Sequence, residues 1–384
     1  MSNSLKASCS TNLGFPYHQQ TSAAESLSSL CSFMTEQKND CTEVNLEFGN
    51  DHGANLLEDK MAKLLGMEAA LWLPTGTMAQ GIAARIHGQK TNSEQLLAHS
   101  SLAPSSLAHS SLAPPILLHP TSHLLLHEEQ GYQYAHGCCA KIIGKWREPL
   151  TSDDISGDSG CVYVELPQRH SGGKLPSWDE LQGIKRRCKT QGMPLHMDGA
   201  RLWSCRPFYD NKSYADIVDG FDSVYVSLYK DIGAMGGATL AGSQAFIDEA
   251  RKWRTRLGGF SVGSWPLIYD ALHLMDKRVR QMPAFIEKAK VLASGISHIS
   301  GLHIDPEVPH TNLFHILLDV SADKAESARD KMAIDHGIWL SDRFWHYESP
   351  NSCAMEIVVG EKALALADQT FTQAMAQFDN ILRS

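Results

Sequence analysis

His196-Met197-Asp198-Gly199-Ala200-Arg201 carries a short apolar stretch straight into an acid, a glycine and a base, and Lys230 follows Asp198 by 32 residues. Lys230 closes a second stretch, Ser223-Val224-Tyr225-Val226-Ser227-Leu228-Tyr229-Lys230, and glycines follow at 233, 236 and 237. Each stretch reads as a buried strand that ends in a glycine-bearing loop, and about 30 residues is the length of one βαβ unit. In an open α/β sheet, ligands bind beyond the carboxyl ends of the strands, so Asp198 and Lys230 would reach one ligand from neighbouring strand ends. A lysine partly stripped of water in such a cleft has a lowered pKa and can form a Schiff base with an aldehyde. Singly, an Asp before a Gly is often only a turn residue, and a strand-end Lys is most often solvated. Their spacing is what marks a site.

Working outward, Cys161–Leu166, Leu195–Met197, Ser223–Leu228 and Ala238–Ala241 read as strands, with Trp178–Cys188 as one of the helices between them. Upstream, Leu57, Met61, Leu64 and Leu65 fall on one helix face that Gly66 ends. The apolar run Ala69–Leu73 then meets Pro74-Thr75-Gly76-Thr77, and a second helix starts at Met78. Gly76 and Thr77 at a helix start offer backbone N–H groups to a phosphate, although Thr is also an ordinary N-cap. Alternating βα units predict an α/β fold whose large domain holds a mostly parallel sheet sandwiched by helices.

After about Pro266 the pattern changes to a long helical stretch (Leu267–Ser294), a strand (Leu313–Val320), a helix (Ala322–His336) and a last helix from Glu361. This predicts a smaller α+β domain over 267–384 and a large domain over 46–266, with 1–45 as an N-terminal arm or extended segment. The large domain carries a Ser/Ala/Pro-rich insertion at 93–115, in which HSSLAP occurs at 99–104 and again at 109–114. That period is too short for a solenoid, and it reads as a surface loop made by duplication.

Bulk properties narrow the function. At 384 residues, with 43% hydrophobic and 20% charged residues, the chain is an ordinary globular one. Lys+Arg 34 against Asp+Glu 43 leaves −9, which argues against nucleic acid or an anionic membrane as partner. Nine cysteines with no CxxC fit a reduced compartment, and the first thirty residues hold one basic residue, Lys6, and no apolar core of a signal peptide. The cytoplasm is the expectation.

The three motifs together supply what a pyridoxal-phosphate site needs. Lys230 would be the Schiff-base lysine, Asp198 would keep the pyridine nitrogen protonated, and Gly76-Thr77 would cradle the phosphate. His119, His123 and His127 are spaced by four like the ligands of a helical zinc site. Pro120 interrupts that turn and no zincin acid intervenes, so no metal is expected.

From about Gly49 to Gly259 the chain resembles the threonine aldolase/β-eliminating lyase family, which has the aspartate-aminotransferase-type fold (fold type I of the pyridoxal-phosphate enzymes). The likeness lies in Leu57-Glu58 through Gly66, Pro74-Thr-Gly-Thr-Met-Ala79, His196-Met-Asp-Gly-Ala-Arg-Leu-Trp203, Ser227-Leu-Tyr-Lys230 with its glycines, Ala250-Arg-Lys-Trp-Arg254 and Gly258-Gly259. The resemblance implies Lys230 as the cofactor lysine and Asp198 on the pyridine nitrogen. It places Arg201 near the cofactor and makes Gly76, Thr77 and Ser227 phosphate ligands. His123, after Ser122 and five before Glu128, matches the histidine stacked on the cofactor ring. The resemblance also implies a homodimer or homotetramer, since active sites of this fold lie between subunits.

The chain departs from that family in places. Glu165-Leu166-Pro167-Gln168-Arg169 puts Gln168 where a Glu-Asn-Thr-His-Asn segment has its histidine. Glu356-Ile-Val-Val-Gly360 puts Glu where the C-terminal carboxylate-binding arginine stands, and the N-terminal Ser-Asp-Thr is absent. Arg169 is the candidate to hold a substrate carboxylate, because a guanidinium grips one bidentately, with Arg343 second. The leading expectation is a lyase that cleaves a β-hydroxy-α-amino acid to glycine and an aldehyde. Lys230, Asp198 and His123 would carry the chemistry, with His123 or a water as base at the β-hydroxyl. The alternatives are a β-eliminating lyase, an aminotransferase, or a non-catalytic protein that keeps the fold for interaction.

Overall fold

The computed structural model describes residues 2–14, 18, 22–36, 52–99, 115–156, 160–261, 263–347 and 349–384. The chain divides into two compact units. The larger comprises Ser22–His170 and Leu175–Val279, and the smaller Met1–Thr21, Ser171–Lys174 and Arg280–Ser384.

In the larger unit a seven-stranded sheet holds β1 (Ala69–Leu73), β2 (Ile116–Leu118), β3 (Ala140–Ile142), β4 (Cys161–Glu165), β5 (Leu195–Gly199), β6 (Ser223–Ser227) and β7 (Ala238–Gly242). Their order across the sheet is β1-β7-β6-β5-β4-β2-β3. Every neighbouring pair is parallel except those made by β7, which runs antiparallel to both β1 and β6. The expected strands in this unit are present. β2 and β3, at three residues each, are too short for periodicity to show.

The strands β4 to β7 are buried almost throughout, as strands covered on both faces must be. The helix α3 (Gly76–His99), which follows α1 (Ala23–Glu36) and α2 (His52–Leu65), lays Ala79, Ile82, Ala83 and Ile86 on the core with Leu71, Tyr163 and Leu240. Burying an aliphatic side chain of this size contributes about 1.5–3 kcal/mol, so this face fixes where the N-terminus of α3 points. Glu58 of α2 ties the layers together: its Oε1 accepts from the backbone N–H of Trp72 (2.8 Å), and its Oε2 meets Arg251 (2.6 Å).

The helices α4 (His123–His127), α5 (Trp178–Gln191) and α6 (Gln244–Arg256) complete the covering, and α5 starts with a Ser177/Glu180 capping box. The next helix, α7 (Trp265–Ile296), begins in the larger unit and contains the point where the chain divides, at Val279/Arg280.

The smaller unit has a four-stranded antiparallel sheet, β8 (His303–Asp305), β9 (Leu313–Leu318), β10 (Trp345–His346) and β11 (Cys353–Val358), in the order β10-β11-β9-β8. The helices α8 (Ala322–His336) and α9 (Asp368–Arg383) belong to it, as expected of an α+β unit. The last helix begins at Asp368, after a separate short turn at Glu361–Leu364.

Two expectations need correcting. The first 45 residues are not an extended arm throughout, because Ser2–Ser8 and Ala23–Glu36 are helical, and Thr11–Asn12 pairs with Ile338–Trp339. The insertion at 93–115 begins as helix, since α3 runs to His99, and the residues that hold most of the HSSLAP repeat, 100–114, lie outside the described ones. Among the described residues no helix is long and apolar enough to cross a membrane.

Candidate active site

The sheet register puts the chemistry in one row. Glu165 of β4 is the lateral partner of Asp198 of β5, and Asp198 that of Tyr225 of β6, so the three share one face at the strands' carboxyl ends. One turn beyond β6, Lys230 donates its backbone N–H to Ser227 Oγ (3.3 Å). From the opposite side comes the N-terminus of α3, where Thr75 Oγ1 accepts the N–H of Met78 (3.1 Å) as an N-cap. The N–H groups of Gly76 and Thr77 belong to the first turn, which has no partners within the helix. A small cavity forms where these elements meet. Gly76, Thr77, His123, Asp198, Tyr225 and Lys230 line it, with Gln80, Glu128 and Tyr229. Glycine is required at 76, since a Cβ there would stand 2.1 Å from Tyr225 Oη.

Six of the expected residues thus stand around one point: Lys230, Asp198, His123, Gly76 and Thr77 line the cavity, and Ser227 is one hydrogen bond behind Lys230. Arg201 is buried and close enough for its charge to act on both Lys230 and Asp231. Arg169 stands on the β4 side. Its backbone N–H donates to Glu165 Oε1 (3.1 Å), and its guanidinium acts on Lys230. Arg343 belongs to the smaller unit, where its backbone N–H donates to Ser341 Oγ (3.3 Å). In that unit Glu356 of β11 pairs across the sheet with the buried His315 of β9, Oε2 to Nε2 at 3.8 Å.

Burial sets the protonation of this group. It pulls Lys230 down to about 8, helped by Arg201 and opposed by Asp198 and Glu165. It pushes Asp198 up, while Lys230 and His123 pull it back. Glu165 is pushed up to about 7 by burial and then by the Asp198 charge, and burial alone pushes Asp231 up to about 7. A desolvated, half-buried lysine beside buried carboxylates that resist ionisation is the condition of a site built for a ligand that carries charge of its own.

The donor set suits pyridoxal phosphate. The unpaired helix N–H groups match a phosphate, the depressed lysine matches a carbonyl carbon, and the buried Asp198 matches a ring cation, which would draw its pKa down again. Glu165 Oε2 and both oxygens of Asp231 have no hydrogen-bond partner among the described residues.

Glu165, Asp231, Tyr225 and Glu128 were not singled out as site residues from the sequence. Glu165 had a signal, since it ends a buried strand as Asp198 does. Glu128 lies 3.3 Å from His123 Nδ1 and fixes that ring. Of the three evenly spaced histidines, His119 precedes α4 and is satisfied by Thr121 (2.7 Å) and the carbonyl of Lys145 (2.8 Å). His127 instead meets His170. Among the described residues no group of three or more His, Cys, Asp or Glu gathers as a metal site would.

Comparison with known proteins places the arrangement. The beta-eliminating lyase family model matches residues 26–320. Low-specificity L-threonine aldolase 1 of Arabidopsis thaliana is 30% identical over 293 residues, which cover 76% of this chain and 79% of the plant protein. Of the solved structures, a Listeria monocytogenes protein provisionally named an L-allo-threonine aldolase superposes with a TM-score of 0.81 at 33% identity, covering 99% of this chain and 98% of the other. An Exiguobacterium protein, provisionally named an aromatic amino acid beta-eliminating lyase/threonine aldolase, gives 0.82 at 29% identity, covering 98% and 99%.

Proposed function

Since the chain belongs to the beta-eliminating lyase family, we propose that it is a pyridoxal-phosphate-dependent lyase of the threonine aldolase type, cleaving a β-hydroxy-α-amino acid to glycine and an aldehyde. The observation that carries this reading is the buried Asp198 and the desolvated Lys230 lining one cavity with Gly76 and Thr77 at the capped start of α3. Bound there, pyridoxal phosphate supplies a ring that accepts the electron pair released when a bond to Cα breaks.

The chain's own residues do the rest. Lys230 would hold the cofactor through Nζ. Asp198 would accept a hydrogen bond from the ring nitrogen and hold its proton in place. Gly76, Thr77 and Ser227 would hold the phosphate, Arg201 would stand near the cofactor, and His123, steadied by Glu128, would cover its ring. Arg169 grips the substrate carboxylate in place of the C-terminal arginine that this chain lacks. His123 or a water takes the β-hydroxyl proton. The same reading makes the enzyme a cytoplasmic homodimer or homotetramer with a small-molecule substrate.

A panel of amino acids tests the reaction. Glycine plus an aldehyde is the expected outcome, while ammonia plus a keto acid would make the protein an eliminating lyase or an aminotransferase instead. Arg169→Ala should lower kcat/KM by roughly tenfold to a hundredfold, the loss of one charge-assisted contact of about 1.5–3 kcal/mol. Arg169→Lys should rescue in part only, since an ammonium lacks the planar fork. Equal apparent affinities across the three would mean that another group holds the carboxylate.

Loading should also depend on pH with a definite sign. Only the unprotonated amine attacks a carbonyl carbon, and Lys230 titrates near about 8. The rate at which cofactor-free protein takes up pyridoxal phosphate should rise with pH through that value and then level. A rate that keeps climbing to the ordinary lysine range, about 10.4, would show that Lys230 is not desolvated.

A further inference from the structure

Beneath the row of Glu165, Asp198 and Tyr225 runs a second polar row. Tyr163, His196 and Ser223 are lateral partners in β4, β5 and β6, and each stands two residues before its counterpart in the site. The two rows therefore share one face of the sheet. His196 and Ser223 are completely buried, where polar groups persist only if they are hydrogen-bonded. A chain of such bonds ties them to α3. His87 Nε2 lies 2.7 Å from Ser223 Oγ, Ser223 Oγ lies 2.7 Å from His196 Nδ1, and His196 Nε2 lies 2.9 Å from Gln80 Oε1. The chain ends at Gln80 in the wall of the cofactor cavity. At its other end the ring of His87 stacks on Phe246 of α6, at 5.0 Å between centroids.

The chemistry of the members fixes the direction of the chain. An amide oxygen only accepts, so the N–H of His196 is on Nε2, and Nδ1 of the neutral ring is a lone pair. Burial, with His87 beside it, holds that ring neutral. Ser223 must then give its hydroxyl proton to His196 Nδ1, and its oxygen receives the N–H of His87 Nε2. If the Gln80 amide turned over, its N–H₂ would meet the N–H of His196, donor against donor. With Oε1 committed to His196, the end of the side chain that remains to serve the cavity is the nitrogen, which only donates. Gln80 is held by its backbone as well, because its carbonyl accepts from Tyr163 Oη (3.1 Å).

We propose that Gln80 is a cofactor-binding residue whose amide nitrogen donates to an oxygen of bound pyridoxal phosphate, and that His196, Ser223 and His87 are positioning residues that keep the amide turned that way. This rests on the reading of the cavity as a pyridoxal-phosphate site. The cofactor is anionic, and the oxygens it offers to a donor are those of its phosphate and the one on its ring. The cavity wall already holds Asp198 and Glu128, so a further acceptor there would repel the ligand. An amide free to turn would present its oxygen as readily as its nitrogen, and ordering it would weaken binding. The buried chain does that ordering in advance.

The test reads binding rather than turnover. Full-length wild type, Gln80→Met, Gln80→Glu, Ser223→Ala and the double variant Gln80→Met/Ser223→Ala are freed of cofactor and titrated with pyridoxal phosphate. The visible band of the bound cofactor is followed, below the unfolding midpoint of every variant. Gln80→Met keeps the length of the side chain without the donor, and its Kd should rise by roughly tenfold to a hundredfold. Gln80→Glu keeps an acceptor for His196 but offers the cavity no amide donor, so it should bind no better than Gln80→Met. Ser223→Ala, which breaks the chain and leaves Gln80 in place, should raise Kd by about threefold to tenfold. In the double variant the Kd should match that of Gln80→Met alone, because Ser223 acts only through Gln80. A band that moves in Gln80→Met identifies the ring oxygen as the acceptor, and a band that stays while Kd rises identifies the phosphate. A Gln80→Met Kd within about twofold of wild type would overturn the proposal. So would effects that add in the double variant, since the buried row would then serve the fold alone. If cofactor affinity follows Gln80 but no β-hydroxy amino acid yields an aldehyde, the lyase reading fails and the role of Gln80 stands. Wild type that takes up no pyridoxal phosphate sinks both.

Discussion

Lys230→Ala should fold, bind pyridoxal phosphate weakly, and show no cofactor fixed to the chain by borohydride, with turnover lower by about a thousandfold or more. The wild-type protein should carry that reduced label on Lys230 alone. The expectation follows from where the chain puts this lysine: β6 delivers it, Ser227 Oγ fixes its backbone at 3.3 Å, and burial together with Arg201 holds its pKa to about 8. Solvated lysines titrate near about 10.4 and are almost wholly protonated at neutral pH.

The same shift gives a second readout in the cofactor-free protein. Between about 8 in the folded state and about 10.4 unfolded, the unfolded chain binds the extra proton, so stability contributed by this group rises with pH across that window. The wild-type protein should gain stability over that range relative to Lys230→Ala, by an amount of order 3 kcal/mol. A label that persists on another lysine in the variant, or stability curves that stay parallel, would remove Lys230 from its place.

What could be read from the sequence, and what could not, has a physical pattern. Asp198 and Lys230 were legible because one lies at the end of a buried strand and the other just beyond one, where an ionisable residue has no structural reason to be. Gly76 and Thr77 were legible because they open a helix. Glu165 has the same strand-end position, yet its meaning depends on the register that sets it beside Asp198, and register between distant strands is not a local property. His170 was invisible for a related reason: its partner, His127, lies 43 residues away, and the two meet only because β2 and β4 are neighbours in the sheet. The helix Ala23–Glu36 escaped notice because its serines lower both periodicity and propensity. Its Leu30 is buried in a small cluster with Tyr269, against which Phe33, Met34, Trp265 and Leu272 pack.

Asp198→Asn is the second large effect, and the surroundings of Asp198 let it be argued further than a loss of activity. The amide is nearly isosteric, and its oxygen can still accept the N–H of Ala200, a bond of 3.1 Å in the wild type, so the fold should survive. An amide cannot stabilise a proton on the cofactor's ring nitrogen as a carboxylate does, and an unprotonated ring accepts electrons poorly. Turnover should fall by about a hundredfold to ten-thousandfold, the range for losing a positioned proton-holding group, with much of the cofactor retained.

The charge change should also be felt at Lys230 before any substrate binds. Asp198 is one of the groups that hold the Lys230 pKa up against burial and Arg201. Replacing it with a neutral amide removes that support, so the midpoint for cofactor loading should move below about 8. Glu165, raised to about 7 partly by the Asp198 charge, should ionise more readily and offset some of that movement. A variant with near-normal kcat would mean that another residue, Glu165 first among them, sets the protonation of the ring. A variant with lowered kcat but an unmoved loading midpoint would mean that Asp198 acts on the cofactor without sensing Lys230, contrary to the row of buried charges that the β4–β5–β6 register assembles.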